Sequence, residues 1–523
     1  MFINKNINTL LVKISWCIMM GEASAGRDVP EIQAKVQLMG TRPIEVVSRL
    51  PTPEEVMKIP RLTTRALLTK VLGPAFIPLG AAIGSGEWLL GPQSVALYGF
   101  GVMWLVWIGS FLQTVFNIMY GRLTLATGEP PIVLFNRIWP GVRFWAWFVP
   151  LNLILWGFWP GWALTSATAL GALVLGRIPG AAEATLVRIL AMIILAVCIA
   201  IVLFGVKIES TLEWIQKIGV GIVLIGLTII AFLTVTPTAL AEMGRGFVSV
   251  GYLPPGGDVL LLGAFWGYIA YASGLNWKMV NYYRDRGYGM GSVVGFIPTL
   301  IGGTKVYVSP TGKIFEINNE NLATWRRWVR ILYADQWIIF FLGSLFGMML
   351  PTLIVGSLVP VGTTLPTWGV AAHVANEVAA KIGIIGFYFV AFVGFFILFT
   401  TQIEAIDTLV RNITDGVWST SETARRWARG DIRLIYYPIL VAYVIFAMTI
   451  IWFALPLVLI QIGANMANFV AIWSVPALWA LLRKLPKELR PPKWQYAATV
   501  IFWIICVFFA LALVLSTFGI KIF

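Results

Sequence analysis

From residue 71 to residue 518 the chain alternates between long apolar runs and short polar interruptions. The runs reach about 20 residues or more, the length that carries a helix across the hydrocarbon core of a bilayer. Placing their ends at the polar interruptions predicts eleven spanning helices, at 73–100, 102–121, 144–176, 187–206, 216–237, 259–283, 332–358, 383–410, 434–455, 457–482 and 495–518. Residues 71–518 therefore read as an all-α integral membrane domain, followed by a short end, 519–523. Residues 1–70 are mixed and polar, with Pro51, Pro53 and Pro60 late in the stretch, and read as a tail with one short amphipathic helix at 54–59. Within it, 7–20 resembles a signal peptide ending near Ala23, Ser24 and Ala25, but Lys13 interrupts its apolar core and argues against cleavage. The longest connection is 285–330. There, apolar–polar alternation on both sides of Ser309, Pro310, Thr311 and Gly312 predicts a small β-hairpin.

Composition agrees with lipid as the solvent. Hydrophobic residues make up 59% of the chain and charged residues 12%, with a mean hydropathy of +0.83. A soluble globule carries about a quarter charged residues, so too few remain here to cover a surface in water. The net charge of +14 would suggest nucleic acid in a soluble protein. Here the Lys and Arg sit in loops between apolar runs, without interleaved stacking aromatics, so no nucleic-acid partner is expected. Their placement sets an orientation instead. With residues 1–70 cytoplasmic, the outer loops between spans hold only Arg177, Arg188, Arg245 and Lys381, and the basic loops 278–330, 411–433 and 483–493 all fall inside. The C-terminus is then external, in a plasma-membrane protein that crosses many times. Trp104 and Trp107, and Trp145 and Trp147, cluster near span ends as an interfacial belt does.

Candidate chemistry is sparse. Cys17, Cys198 and Cys506 form no pair motif, and His373 is the only histidine, which excludes bis-histidine haem and histidine-rich metal sites. No soluble segment could hold a catalytic core, and no nucleophile–base pair or cofactor motif is present, so neither an enzyme nor a cofactor is expected. Two spans, however, are interrupted at their centres. The first carries Gly84, Ser85, Gly86 and Glu87, and the sixth carries Gly267, Tyr268, Tyr271, Ala272, Ser273 and Gly274. Interruptions at matched positions of two five-span halves are the best sequence pointer to an inverted-repeat transporter, since unwound backbone at membrane depth survives only where it lines a cavity or is buried in protein. A lone glycine cluster would more often be helix packing. Glu87 lies mid-span just after the first break, and an intramembrane carboxylate is a functional site by default. Lys278, placed about a turn and a half below the second break, can pair with Glu87, replace a coupling ion, or snorkel to the inner surface. Glu404, Asp407, Asn465 and Asn468 are weaker candidates, the two acids being placed near an inner helix end.

The run from Gly73 to Trp88, with Leu125, Ala126, Thr127 and Gly128 after the second span, resembles the divalent-metal transporters of the natural resistance-associated macrophage protein (Nramp) family. The resemblance extends over 71–518 by span number and order and is close only near spans one and two. It implies a LeuT-type fold of the amino acid–polyamine–organocation superfamily: a five-plus-five inverted repeat with helices one and six broken, plus one C-terminal helix. It also implies alternating access around the breaks. Departures accompany it. The family's Asp-Pro-Gly-Asn falls on Gly84, Ser85, Gly86 and Glu87, and its Met-Pro-His on Tyr271, Ala272 and Ser273. A second histidine of the sixth span falls on Lys278, and the family's third-span acids on Asn152, Trp159 and Trp162. The implied site is then Gly84, Ser85, Glu87, Tyr268, Tyr271 and Ser273, with Lys278 as a coupling or charge partner and Glu87 as the one acid for a metal. Such an oxygen site suits Mg²⁺ or Mn²⁺ better than soft ions. Expectation therefore runs to a divalent cation as cargo. A small organic solute such as an amino acid, and a non-transporting anchor subunit of a larger complex, stay open as alternatives.

Overall fold

In the computed structural model, which describes residues 44–204, 207–520 and 522, the apolar runs form helices that pack as one bundle of eleven spans. Span one is built from Phe76–Ala82, Gly86–Leu90 and Gly91–Tyr98, and span two is Trp104–Thr127. Span three is Val142–Gly157 and Gly161–Leu175, interrupted at Pro160, which has no N–H to carry the helix on. Spans four and five are Ala184–Leu203 and Ile208–Thr234. Span six is Val259–Gly267, an unwound stretch, a tight turn at Asn276–Lys278, and Asn281–Arg286. Span seven runs through Asn319–Ala334, Asp335–Phe341 and Leu342–Leu358. Spans eight to eleven are Ile384–Thr420, Arg433–Ile450, Pro456–Lys484 and Lys493–Thr517. Among the described residues nine helical stretches are long and apolar enough to cross a membrane. One of them, Phe76–Thr127, holds spans one and two together, and the halves of span six are too short to qualify alone.

The bundle is apolar outside and polar at its centre. Phe232, Trp147, Ile385 and Phe453 face outward almost fully exposed, whereas Gln113, Asn117, Glu87, Glu404 and Asp407 are buried. Only a lipid surround makes that distribution favourable. The chain is a multi-pass membrane protein of the LeuT type, two five-span halves and an eleventh helix.

Beside the spans, two strands pair in parallel: β1 (Glu45–Val47) and β2 (Lys313–Phe315), with Glu45 opposite Lys313 and Val47 opposite Phe315. The expected hairpin about 309–312 is therefore not formed. Its first arm is engaged elsewhere: the Val308 carbonyl accepts from Trp418 Nε1 (3.0 Å), Ser309 N donates to the Val294 carbonyl (2.9 Å), and Lys305 Nζ reaches the Arg429 carbonyl (2.7 Å). The second arm instead takes a partner from the N-terminal tail. That tail is docked from residue 44 onward. Leu50 N donates to Asn321 Oδ1 (2.9 Å), and the Pro51 carbonyl accepts from Trp328 Nε1 (2.8 Å). The expected helix at 54–59 occupies Pro53–Met57, opened by a Thr52–Glu55 capping box and closed by Lys58 in the left-handed region. The signal-like stretch 7–20 lies outside the described residues.

Candidate binding site at the two helix breaks

Both breaks form, and one carboxylate joins them. In span one the helix ends at Ala82, and Gly84 N turns back to the Ala82 carbonyl (2.8 Å) before helix resumes at Gly86. In span six the backbone leaves the helix at Tyr268 and passes through positive φ at Ala270 (+58°) and Gly274 (+74°). A Cβ on Gly274 would also meet the Ala471 backbone of span ten. Unwinding frees amides that a helix would have paired. Glu87 takes one from each break: Oε2 accepts from Gly84 N (3.2 Å) and Oε1 from Ala270 N (3.0 Å). Its carboxylate is also in the first turn of the resumed helix, next to the positive end of that dipole. Two backbone hydrogen bonds, each worth about 1 kcal/mol, hold a group that is 1% exposed.

Around this pin lies a small cavity of about 30 Å³, lined from span one by Ser85, Gly86 and Glu87 and from span six by Tyr268, Tyr271 and Lys278. Span three contributes Trp156 and Trp162, and span eight Thr401 and Glu404. Trp162 Nε1 donates to Ser85 Oγ (3.0 Å) and its ring stacks on Tyr268. Lys278 does not pair with Glu87 and does not snorkel. Its Nζ is buried, 4.0 Å from the centroid of the Trp156 ring and 4.9 Å from that of Tyr271, with Glu404 Oε2 at 3.8 Å. Glu404 Oε1 accepts from the hydroxyls of Tyr271 (2.8 Å) and Thr408 (2.6 Å).

Of the residues singled out by sequence, Ser85, Glu87, Tyr268, Tyr271 and Lys278 converge on the cavity. Gly84 holds Glu87 from behind. Ser273 is turned away, donating to the Trp266 carbonyl (3.3 Å) and accepting from Gln113 Nε2 (3.3 Å). His373 packs on Trp88 with Nδ1 2.6 Å from the Val370 carbonyl, away from the breaks. Asn465 and Asn468 bond the Leu260 and Gly263 carbonyls and fasten span ten to span six. Glu404 and Asp407 are not at a solvated helix end. Span eight continues to Thr420, ten residues beyond its expected limit, so both acids lie well inside it and are buried.

Below the cavity the charges are mutually paired. Asp407 accepts from Tyr282 (2.9 Å), Tyr436 (2.6 Å) and Arg411 (2.9 Å). Arg411 also bonds Asp285, and Arg284 bonds both Asp285 and Asp415 (2.7 Å each). This ladder ties span six to span eight.

An eleven-helix bundle with broken spans one and six around a buried polar centre is the architecture of LeuT-type secondary transporters. Comparison with known proteins narrows the likeness. Two crystal structures of the Eremococcus coleocola manganese transporter, a histidine-to-alanine mutant and a complex with an aromatic bis-isothiourea-substituted compound, match this fold with a TM-score of 0.58 at 14% identity. The first match covers 90% of this chain and 89% of that one, the second 91% and 90%. In sequence, the chain is 26% identical over 99 residues to the divalent metal cation transporter MntH of Yersinia enterocolitica, covering 19% of this chain. It is 27% identical over 115 residues to the MntH of Pectobacterium carotovorum, covering 22%. The matched stretches span about a quarter of these relatives' length (24% and 25%). No family profile matches the chain.

Proposed function

We propose that the protein is a secondary transporter that carries a divalent cation of the Mn²⁺ or Mg²⁺ kind across the plasma membrane, by alternating access around spans one and six. The observation that carries this reading is the cavity between the two breaks, whose lining brings together the oxygen donors Glu87, Ser85, Tyr268, Tyr271, Thr401 and Glu404. Oxygen ligands select hard cations. Glu87 keeps acceptor capacity beyond its two amide bonds, because each carboxylate oxygen has two lone pairs, and it is the first ligand in this reading.

The rings of Trp156, Trp162, Tyr268 and Tyr271 favour a second reading, a small organic amine held by its cation. The cavity is small, about 30 Å³, and a small ion fits it most simply. An anchor subunit has no need of a charged, enclosed centre.

The test is Mn²⁺ and Mg²⁺ uptake into proteoliposomes. Uptake should be saturable in the wild type and fall at least tenfold in Glu87→Gln. Unchanged uptake in that variant sinks the metal reading, and saturable amine uptake without metal uptake favours the second.

A further inference from the structure

Three charged side chains face the cavity, and they are not equivalent. Glu87 is held by backbone amides from both breaks through both of its oxygens. Glu404 is held on one side only: Oε1 accepts from Tyr271 and Thr408, while Oε2 points toward Lys278 Nζ across 3.8 Å, beyond hydrogen-bond contact. The ammonium itself rests on two aromatic faces, Trp156 and Tyr271. Its long stem springs from a single tight turn, Asn276–Lys278, at the lower edge of the unwound stretch. Of the three, Lys278 is the one whose position depends on weak, undirected contacts.

Charge counting gives the consequence. Within the cavity, Lys278 and Glu404 face each other as base and acid and offset each other's charge. A divalent ion drawn to Glu404 takes over the charge that Lys278 now offsets, and the ammonium then becomes an unbalanced like charge a few ångströms away in a water-poor site. Ion and ammonium exclude each other.

We propose that Glu404 in span eight is the carboxylate that receives the transported cation, and that the Lys278 ammonium holds its place in this conformation as an intramolecular competitor the cargo must displace. This rests on the cation-transport reading and adds to it a second acid ligand and a built-in occupant.

The full-length protein in detergent, titrated calorimetrically with MnCl₂, tests the assignment. Lys278→Met removes the competitor and should tighten Mn²⁺ binding at least tenfold. The double variant Lys278→Met with Glu404→Gln removes competitor and receiver together, leaves no unpaired charge at that position, and should bind Mn²⁺ at least tenfold more weakly than wild type. Binding in Lys278→Met that equals or falls below wild type overturns the competitor, and a double variant that binds as tightly as wild type or tighter overturns the receiver. Should Lys278→Met not run as a monodisperse peak on size exclusion, the double variant against wild type decides the assignment of Glu404. Wild-type protein that neither binds Mn²⁺ nor takes it up brings down the transport reading and this inference together. Wild-type uptake with variants that bind as wild type does brings down the inference alone.

Discussion

A Cβ on Gly86 would run into the carbonyl of Tyr268, so the two broken helices touch backbone to backbone at this residue. Gly86→Ala should therefore push the breaks apart. Overpacking of this kind costs about 1–3 kcal/mol, and the expected result is a lower melting temperature together with loss of cation uptake. Gly221, on span five with nothing within 4 Å of its would-be Cβ, is the control: Gly221→Ala should be neutral or stabilising by up to about 1 kcal/mol, measured by the same thermal scan. At this scale the sequence was most readable where chemistry and position are both unusual. Gly84, Ser85, Gly86 and Glu87 stand out in an apolar run, and Glu87 is where such a group was expected to be. Glu404 did not stand out, because polar residues follow Val410 and made the helix look finished within two turns of it. Trp156 carried no signal, since tryptophan in a membrane chain is read as interfacial by default, and Trp162 stood out only as a position where the resembled family has an acid.

At the level of elements, the eleven spans were legible because a bilayer imposes one length and one polarity on every crossing. The breaks were legible because glycine and small polar residues have few other uses in mid-span. What failed was pairing between distant segments. The arm at 313–315 has strand chemistry, but its partner at 45–47 lies more than 260 residues away and local alternation cannot name it. The same docking makes a prediction. Asn321 receives Leu50 N and returns its own amide to the carbonyls of Ser48 (2.9 Å) and Glu316 (2.9 Å), so it joins tail, connection and span seven. Asn321→Ala removes all three bonds, each worth about 1 kcal/mol, and should speed tryptic cleavage at exposed Arg49 several-fold, followed by gel over time. An unchanged cleavage rate means that β1 and Trp328 hold the tail unaided.

For the whole molecule, the basic loops lie at one end of the bundle. On the charge-bias rule we propose that this end, with the 285–318 connection, is cytoplasmic. Tyr307, exposed on that connection, and Val248, exposed at the end of the short helix Pro237–Val248 that follows span five, lie on opposite faces in this scheme. In a Cys17→Ser background, an impermeant maleimide applied to intact cells should label Val248→Cys and leave Tyr307→Cys unlabelled until the membrane is broken; the reverse pattern inverts the orientation. Cys198 and Cys506 are buried and should not compete for the reagent.

Glu87 gives this architecture a mechanical property as well as a chemical one. Because a single carboxylate is the acceptor for an amide in each unwound segment, the two segments are tethered to one another through it. Whatever draws the carboxylate away, whether an arriving cation or a proton, releases two hinges in one event. In the transport reading proposed above, the two breaks thereby share a single trigger.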